Sequence, residues 1–260
     1  MNIVVCVKRV PDTAAEKKLD PQDFTLDRDS VEAIINPVDE YAVEEALKLR
    51  EAQGGEVTVL TMGPDGAEKD AVRKALALGA DRGVLVKDDR LHGSDAIATA
   101  RTLAAALAKL EFDLVIMGSE STDARTSLVP QALAQLLGLP GLTNVKHLEV
   151  ADGTATVQRE EEGGYAVVQC ALPALVSVVK GINEPRYPSL KGIMSAKSKP
   201  VDVLSADDAG VDASQVGLEG SGTRVLSATA RPPKEKGVIV VDDGDAAAKL
   251  ADFLQQHKFI

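Results

Sequence analysis

The decapeptide Gly118–Ser127, GSESTDARTS, follows an apolar run and leads into a helical pattern. It gathers the hydroxyls of Ser119, Ser121, Thr122, Thr126 and Ser127 and the cation of Arg125 at a helix start. Helix N-termini offer unpaired N–H groups and a positive dipole end, which suit a phosphate. Gly118 lets backbone approach a ligand closely. An ordinary polar strand-to-helix loop, capped by Thr126 or Ser127, has the same composition, so both readings stand. Neither G-x-G-x-x-G nor the Walker spacing occurs. Lys8 and Arg9 follow the first apolar run and either face an anion or are simply solvated. Asn36-Pro37 reads as a turn and helix entry, or as an amide that holds a loop or reads an adenine edge. Other chemistry finds little support. His92, His147 and His257 are dispersed without metal-ligand spacing. Glu160-Glu161-Glu162 reads as a solvated hairpin end, and no nucleophile motif such as G-x-S-x-G is present. Cys6 and Cys170 are too few for a disulfide framework and read as small buried hydrophobes.

The elements that must position these residues alternate. Apolar runs at Ile3–Val7, Val57–Thr61, Gly83–Val86 and Leu114–Met117 are separated by helical spacing. The helical stretches carry Ala42, Val43, Ala46 and Leu47, then Ala71, Val72, Ala75 and Leu76, then Ile97, Ala100, Ala104 and Leu107, then Ala132, Leu133, Leu136 and Leu137. This predicts a mostly parallel sheet with helices on both faces. Ser94 is the expected cap of the third helix, and Gly79 and Gly138 the expected helix ends. Runs at Val145–Val150, Thr154–Arg159, Tyr165–Cys170 and Ala174–Val179, with Asp152-Gly153 and Gly163-Gly164 between the first three, predict added antiparallel strands. In an open parallel sheet ligands sit at the carboxyl strand ends. Cys6–Lys8, Asn36–Asp39, Met62–Pro64 and the Gly118 loop converge there. Beyond residue 180, Pro185 and Pro188 stiffen a segment with Leu190, Ile193 and Met194 among Lys191, Lys197 and Lys199. It is either a docking knob or a patch that folds back into the core. Residues 201–237 suit an extended arm. A last helix, about Asp245–His257, is expected to bury Ala248, Leu250, Ala251, Phe253 and Leu254.

Composition narrows the partners. The 260 residues are 45% apolar but only 3% aromatic, with no Trp, so Ala, Val, Leu and Ile must build the core. A net charge of -11 excludes the basic surface that nucleic acid requires, and it can steer the protein to basic patches. The start, Met1-Asn2-Ile3-Val4-Val5, reads as a strand and not a signal peptide. No apolar stretch approaches the roughly 20 residues needed to span a bilayer. The expectation is a cytoplasmic protein without membrane insertion.

Several motifs carry a resemblance. They are V-K-R-V at Val7–Val10, N-P at Asn36-Pro37 with A-V-E-E-A at Ala42–Ala46, and ALALGADRG at Ala75–Gly83. R-E-x-x-G-G at Arg159–Gly164, L-P-A-L-V at Leu172–Val176, N-E-P-R-Y-P-S-L at Asn183–Leu190 and I-M-x-A-K at Ile193–Lys197 complete the set. Over its full length the chain resembles electron-transfer flavoprotein beta subunits, in their actinobacterial form. The resemblance implies a Rossmann-like α/β domain over residues 1–200 and a C-terminal arm and helix, residues 201–260, contacting an alpha subunit. It implies a heterodimer whose FAD sits mainly on the alpha subunit, while this chain holds AMP structurally. The AMP contacts carried over are Cys6, Asn36, Pro37, Val38, Asp39, Met62, Gly118, Ser119, Glu120, Ser121, Thr122, Asp123, Ala124, Arg125, Thr126, Ser127, Leu128 and Val129. A recognition loop at about 183–199 would dock acyl-CoA or related flavin dehydrogenases through Tyr187, Leu190, Ile193, Met194 and Lys197. Glu160 would help position the mobile flavin domain. Electrons would pass on to a quinone oxidoreductase, and this chain would have no catalytic residues of its own. The chain departs from the family pattern at Tyr165-Ala166-Val167, where an acidic residue or Gln is usual, and in ESTDARTSLVP, which is poorer in acids and Gln. Two alternatives remain. One is an electron-bifurcating subunit that binds a second FAD and oxidises NADH. The other is an adenylating or ATP-hydrolysing enzyme, which needs a Ser-Gly-Gly type loop where this chain has Lys8-Arg9-Val10-Pro11.

Overall fold

The computed structural model describes residues 1–232 and 236–260. Apolar runs too short for helices and flanked by polar turns form the strands. β1 (Asn2–Cys6) is central, and β4 (Glu56–Met62), β5 (Arg82–Val86) and β6 (Leu114–Gly118) follow the expected runs. Two short strands not foreseen, β2 (Arg9–Pro11) and β3 (Ala33–Ile35), pair antiparallel in a separate small sheet. β7 (Gly141–Ala151), β8 (Thr154–Glu161), β9 (Gly164–Ala171), β10 (Ala174–Val178) and β11 (Val201–Leu204) complete the main sheet. Its order is β11-β5-β4-β1-β6-β10-β7-β8-β9. All neighbours from β11 to β7 run parallel, and β8 and β9 are antiparallel additions. The fold is therefore the expected α/β sheet with an antiparallel extension.

One strand corrects the reading of the extension. β10 does not continue the antiparallel run; it inserts between β6 and β7, parallel to both. Its sequence, ALVSV, is buried throughout, as a strand covered on both faces must be.

The helices cover the sheet by alternate strand residues. Ile3, Val5 and Val7 join one core with α1 (Pro37–Gln53) and α2 (Arg73–Leu78). Val4 and Cys6 join the other with α3 (Ala96–Leu107) and α4 (Val129–Leu137). α1 starts with Pro37 at its first turn, carries Asp39 and Glu40 there, and ends with Arg50 before Gly54, in keeping with the helix dipole. Gly138 takes the left-handed conformation after α4 (φ 66°). Asp152 and Gly153 both have positive φ, the signature of a two-residue hairpin turn. The cap of α3 is Asp95, not Ser94: its carboxylate accepts the N–H groups of Ile97 (3.0 Å) and Ala98 (2.8 Å). Ser94 instead donates to the Leu91 carbonyl.

Two compact units divide the chain, Met1–Val225 and Leu226–Ile260. The first includes α5 (Leu190–Ala196), α6 (Ala206–Ala209) and α7 (Gly217–Gly220). In the second, α8 (Ala246–Gln256) forms where the last helix was expected, but it buries none of the five apolar residues assigned to a core.

Candidate functional site

The order β4-β1-β6 puts a switch point beside β1, where the chain has built one side of the sheet and crosses to the other. There the first turn of α1 knits the strand ends together. The Asp39 carboxylate accepts the N–H of Lys8, just after β1, at 2.8 Å, and the N–H of Gly118, at the end of β6, at 3.2 Å. A Cβ at position 118 would collide with that carboxylate, so glycine is what lets helix and strand approach so closely. Burial drives the Asp39 carboxyl up to about 7, against the pull of its Asn36, Lys8 and Gly118 hydrogen bonds. Burial, with the Asp39 charge, pushes the Cys6 thiol up to about 12, so it is neutral at pH 7 and no nucleophile. Asn36 closes the cradle. Its N–H donates to the Lys8 carbonyl (2.8 Å), its Nδ2 donates to the Glu120 carbonyl (2.9 Å), and its Oδ1 accepts from the Thr122 N–H (3.1 Å). The amide therefore holds the Gly118 loop. Met62 ends β4, two residues past the Leu60 that pairs with Cys6.

Beyond this anchored half, the loop turns. Arg125 and Ser127 both have φ of 50°, an alternation that swings successive N–H groups to one side. Neither Thr126 nor Ser127 caps α4; the capping position is Leu128, without a side-chain bond. Among the described residues, the N–H groups of Thr126, Ser127, Leu128 and Val129 find no acceptor. A row of free donors at a helix N-terminus can accept an anion.

Two expectations about cations need correction. Lys8 is not simply solvated: its Nζ contacts Asp123 Oδ1 at 2.8 Å and the Ser121 hydroxyl at 3.2 Å. Arg9 is largely buried and binds Asp70 (2.8 Å). Arg28, unremarked in the sequence, reaches the other oxygen of Asp123 at 2.9 Å. Burial disfavours the ionised Asp123 carboxyl, yet Lys8 and Arg28 outweigh it and hold the group below the usual carboxylate range. Burial lowers Lys8, and Asp123 opposes that fall. Nothing in the spacing pointed to this ion cluster, since Asp123 lies 95 residues from Arg28 and 115 from Lys8. Together with the Asn36 amide it ties the loop's first half down.

Away from the strand ends, the Pro-bounded segment forms α5, capped by Ser189, whose hydroxyl accepts the Gly192 N–H. Leu190 and Ile193 do not fold back: Tyr187, Leu190 and Met194 are 95%, 83% and 74% exposed, and Ile193 is 45% exposed. Lys197 follows on the surface. Gly192 lies so near the Ala77 carbonyl of α2 that a side chain would collide with it. Arg73 donates to the carbonyls of Ala196 (2.7 Å) and Lys199 (2.8 Å), while Lys199 returns bonds to Leu76 (3.0 Å) and Ala80 (2.6 Å). The two helix ends thus cap each other.

Glu160 stands near the hairpin end of β8, exposed and paired with Lys146 at 3.1 Å, opposite Tyr165 on β9. No cluster of metal-ligating side chains occurs among the described residues. Among them, too, no helix is long and apolar enough to cross a membrane.

The electron transfer flavoprotein domain matches residues 23–209. The chain is 47% identical to the electron transfer flavoprotein subunit beta of Mycobacterium leprae over 265 residues, covering 100% of this chain and 99% of that one. The corresponding subunit of Clostridium acetobutylicum is 41% identical, with both chains covered in full. The caffeyl-CoA reductase-Etf complex subunit CarD of Acetobacterium woodii is 38% identical, again over both whole chains. A domain match across most of the α/β unit, and kinship running end to end, mean that this chain belongs to the electron transfer flavoprotein family, as a beta subunit.

Proposed function

We propose that this beta subunit is the scaffold half of an electron-carrying heterodimer, and that it holds AMP at the strand-end site. The observation that carries the nucleotide reading is the row of unpaired N–H groups at Thr126–Val129, set on a loop clamped by Asn36 and by the Lys8–Asp123–Arg28 cluster. Those donors fit a single phosphate, and exposed Arg125 stands beside them. Lys8 and Arg28 share the one carboxylate of Asp123, so the cluster keeps a net positive charge beside the backbone donors and Arg125. Asn36, Pro37, Val38, Asp39, Cys6 and Met62 line the remaining strand ends.

The FAD of the alpha subunit supplies the redox chemistry. This chain contributes a docking knob, Tyr187 to Lys197, for acyl-CoA or related flavin dehydrogenases. Leu190 inserts as the apolar anchor and the cations of Lys191 and Lys197 form its rim. Glu160, on the exposed hairpin, guides the flavin domain, and a quinone oxidoreductase takes the electrons onward. The exposed apolar face of α8 supports an arm that is completed by the alpha subunit.

A second reading draws on the similarity to a subunit of a caffeyl-CoA reductase-Etf complex: a second FAD replaces AMP here and NADH is the donor. Nucleotide extraction from the purified heterodimer tests both. One FAD and one AMP per heterodimer is the expected result. Two FAD and no AMP selects the second reading, and a single FAD with no adenine mononucleotide removes the AMP assignment.

A further inference from the structure

α5 is a short helix with one buried residue, Ala196. Its apolar side chains face outward, so burial of hydrophobic area cannot fix its position. An open depression of about 580 Å³, lined by Arg50, Arg186 and Lys191 among others, lies beside it. The entry to the helix is instead held by polar contacts to α1. The Arg186 guanidinium forks onto Glu44, with Nε to Oε2 at 2.7 Å and Nη2 to Oε1 at 3.1 Å, and its other face meets Glu51 at 2.5 and 3.1 Å. The Arg186 N–H also donates to Glu44 (3.1 Å). Three residues earlier, Asn183 Nδ2 donates to Glu45 (2.9 Å) and to the Tyr41 carbonyl (3.0 Å). Glu44 and Glu45 are buried acids, and a buried carboxylate that loses its partner is costly, which makes the geometry unforgiving. Glu44 and Glu45 share α1 with Asp39.

We infer that Arg186, gripping Glu44 and Glu51, is a positioning residue that sets the pose in which Tyr187 and Leu190 meet a partner. This rests on the docking reading above and adds to it the part that aims the knob. The guanidinium fork fixes two directions at once, which a lysine cannot do. Loosening the clamp leaves the α2 contacts of the helix in place but frees its entry. Tyr187 and Leu190 are then aimed less tightly, so encounters become less productive while transfer inside a formed complex is unchanged.

The test uses the intact heterodimer with an acyl-CoA dehydrogenase held reduced by its acyl-CoA. R186Q is expected to raise the KM for the flavoprotein about tenfold, with kcat, FAD content and reduction by dithionite unchanged. E44Q raises KM similarly, the double variant is no worse than the worse single, and R186K recovers only part of the loss. Hydrogen exchange rises over 187–196 but not over α2. Should R186Q fail to assemble, E44Q carries the test, because it keeps the shape of the pair and removes its charge. L190A separates the two layers. A raised KM in L190A with normal KM in R186Q and E44Q overturns the positioning role alone. Normal KM in all three overturns the docking reading and this inference with it.

Discussion

Asp39 is a buried acid with two backbone donors, and its proton has a measurable consequence. Its folded pKa of about 7 lies above the ordinary value of about 3.9. The folded chain therefore keeps a proton that the unfolded chain releases. This group's stabilisation is complete below about pH 4 and is lost as pH rises through 7, an effect on the order of 4 kcal/mol. Asp123 works in the opposite sense: its depressed carboxyl stabilises above the ordinary carboxylate pKa and loses that effect as pH falls. Asp39→Asn is expected to remove the decline between pH 4 and 7, and to cost about 1–3 kcal/mol at low pH, because its NH2 faces one of the two N–H groups that the acid accepts. Denaturant unfolding at several pH values checks both; an unchanged slope would show that Asp39 is ionised in the folded chain throughout.

At the scale of elements, the sequence told most where period and neighbours agreed. The strands at Ile3, Val57, Gly83 and Leu114 stand near their expected places because each is an apolar run between amphipathic helices. β10 misled because adjacency in sequence suggests a meander, while its five buried residues need a core on each face and find it in the interior of the sheet, between β6 and β7. The strand-end segments were legible, since topology alone selects them. The Asp123 ion cluster and the Arg186 clamp were not, because charge pairs across such separations leave no periodic trace. The α3 cap was misplaced by one residue: Ser94 and Asp95 are both good capping types, and geometry chose the carboxylate. Asp95 also accepts the Thr223 N–H and hydroxyl at 3.0 Å. Asp95→Ala should thus cost about 1–2 kcal/mol and loosen residues 221–223, whereas Ser94→Ala should cost less. Thermal melts with hydrogen exchange compare the two.

On the scale of the whole molecule, the two units differ in how they are held. Unit Met1–Val225 has buried cores on both faces of its sheet. Unit Leu226–Ile260 leaves Val238, Ile239 and Val241 almost bare, and α8 shows Leu250 and Phe253 to solvent. A segment that apolar and that exposed is expected to be covered by the alpha subunit. A chain ending at Val225 should therefore keep its circular dichroism and melting temperature yet fail to co-purify with the alpha subunit; equal recovery of the heterodimer would locate the interface elsewhere. The insertion of β10 carries a different consequence, for synthesis. Residues 114–171 leave the ribosome before the strand that separates β6 from β7 exists. Until Ala174–Val178 emerges, the nascent chain carries two bare strand edges facing an empty slot. Five residues close both at once, so β7 and the hairpin it carries can join the sheet only after Ala174–Val178 has emerged, with β11 still to come at the far edge.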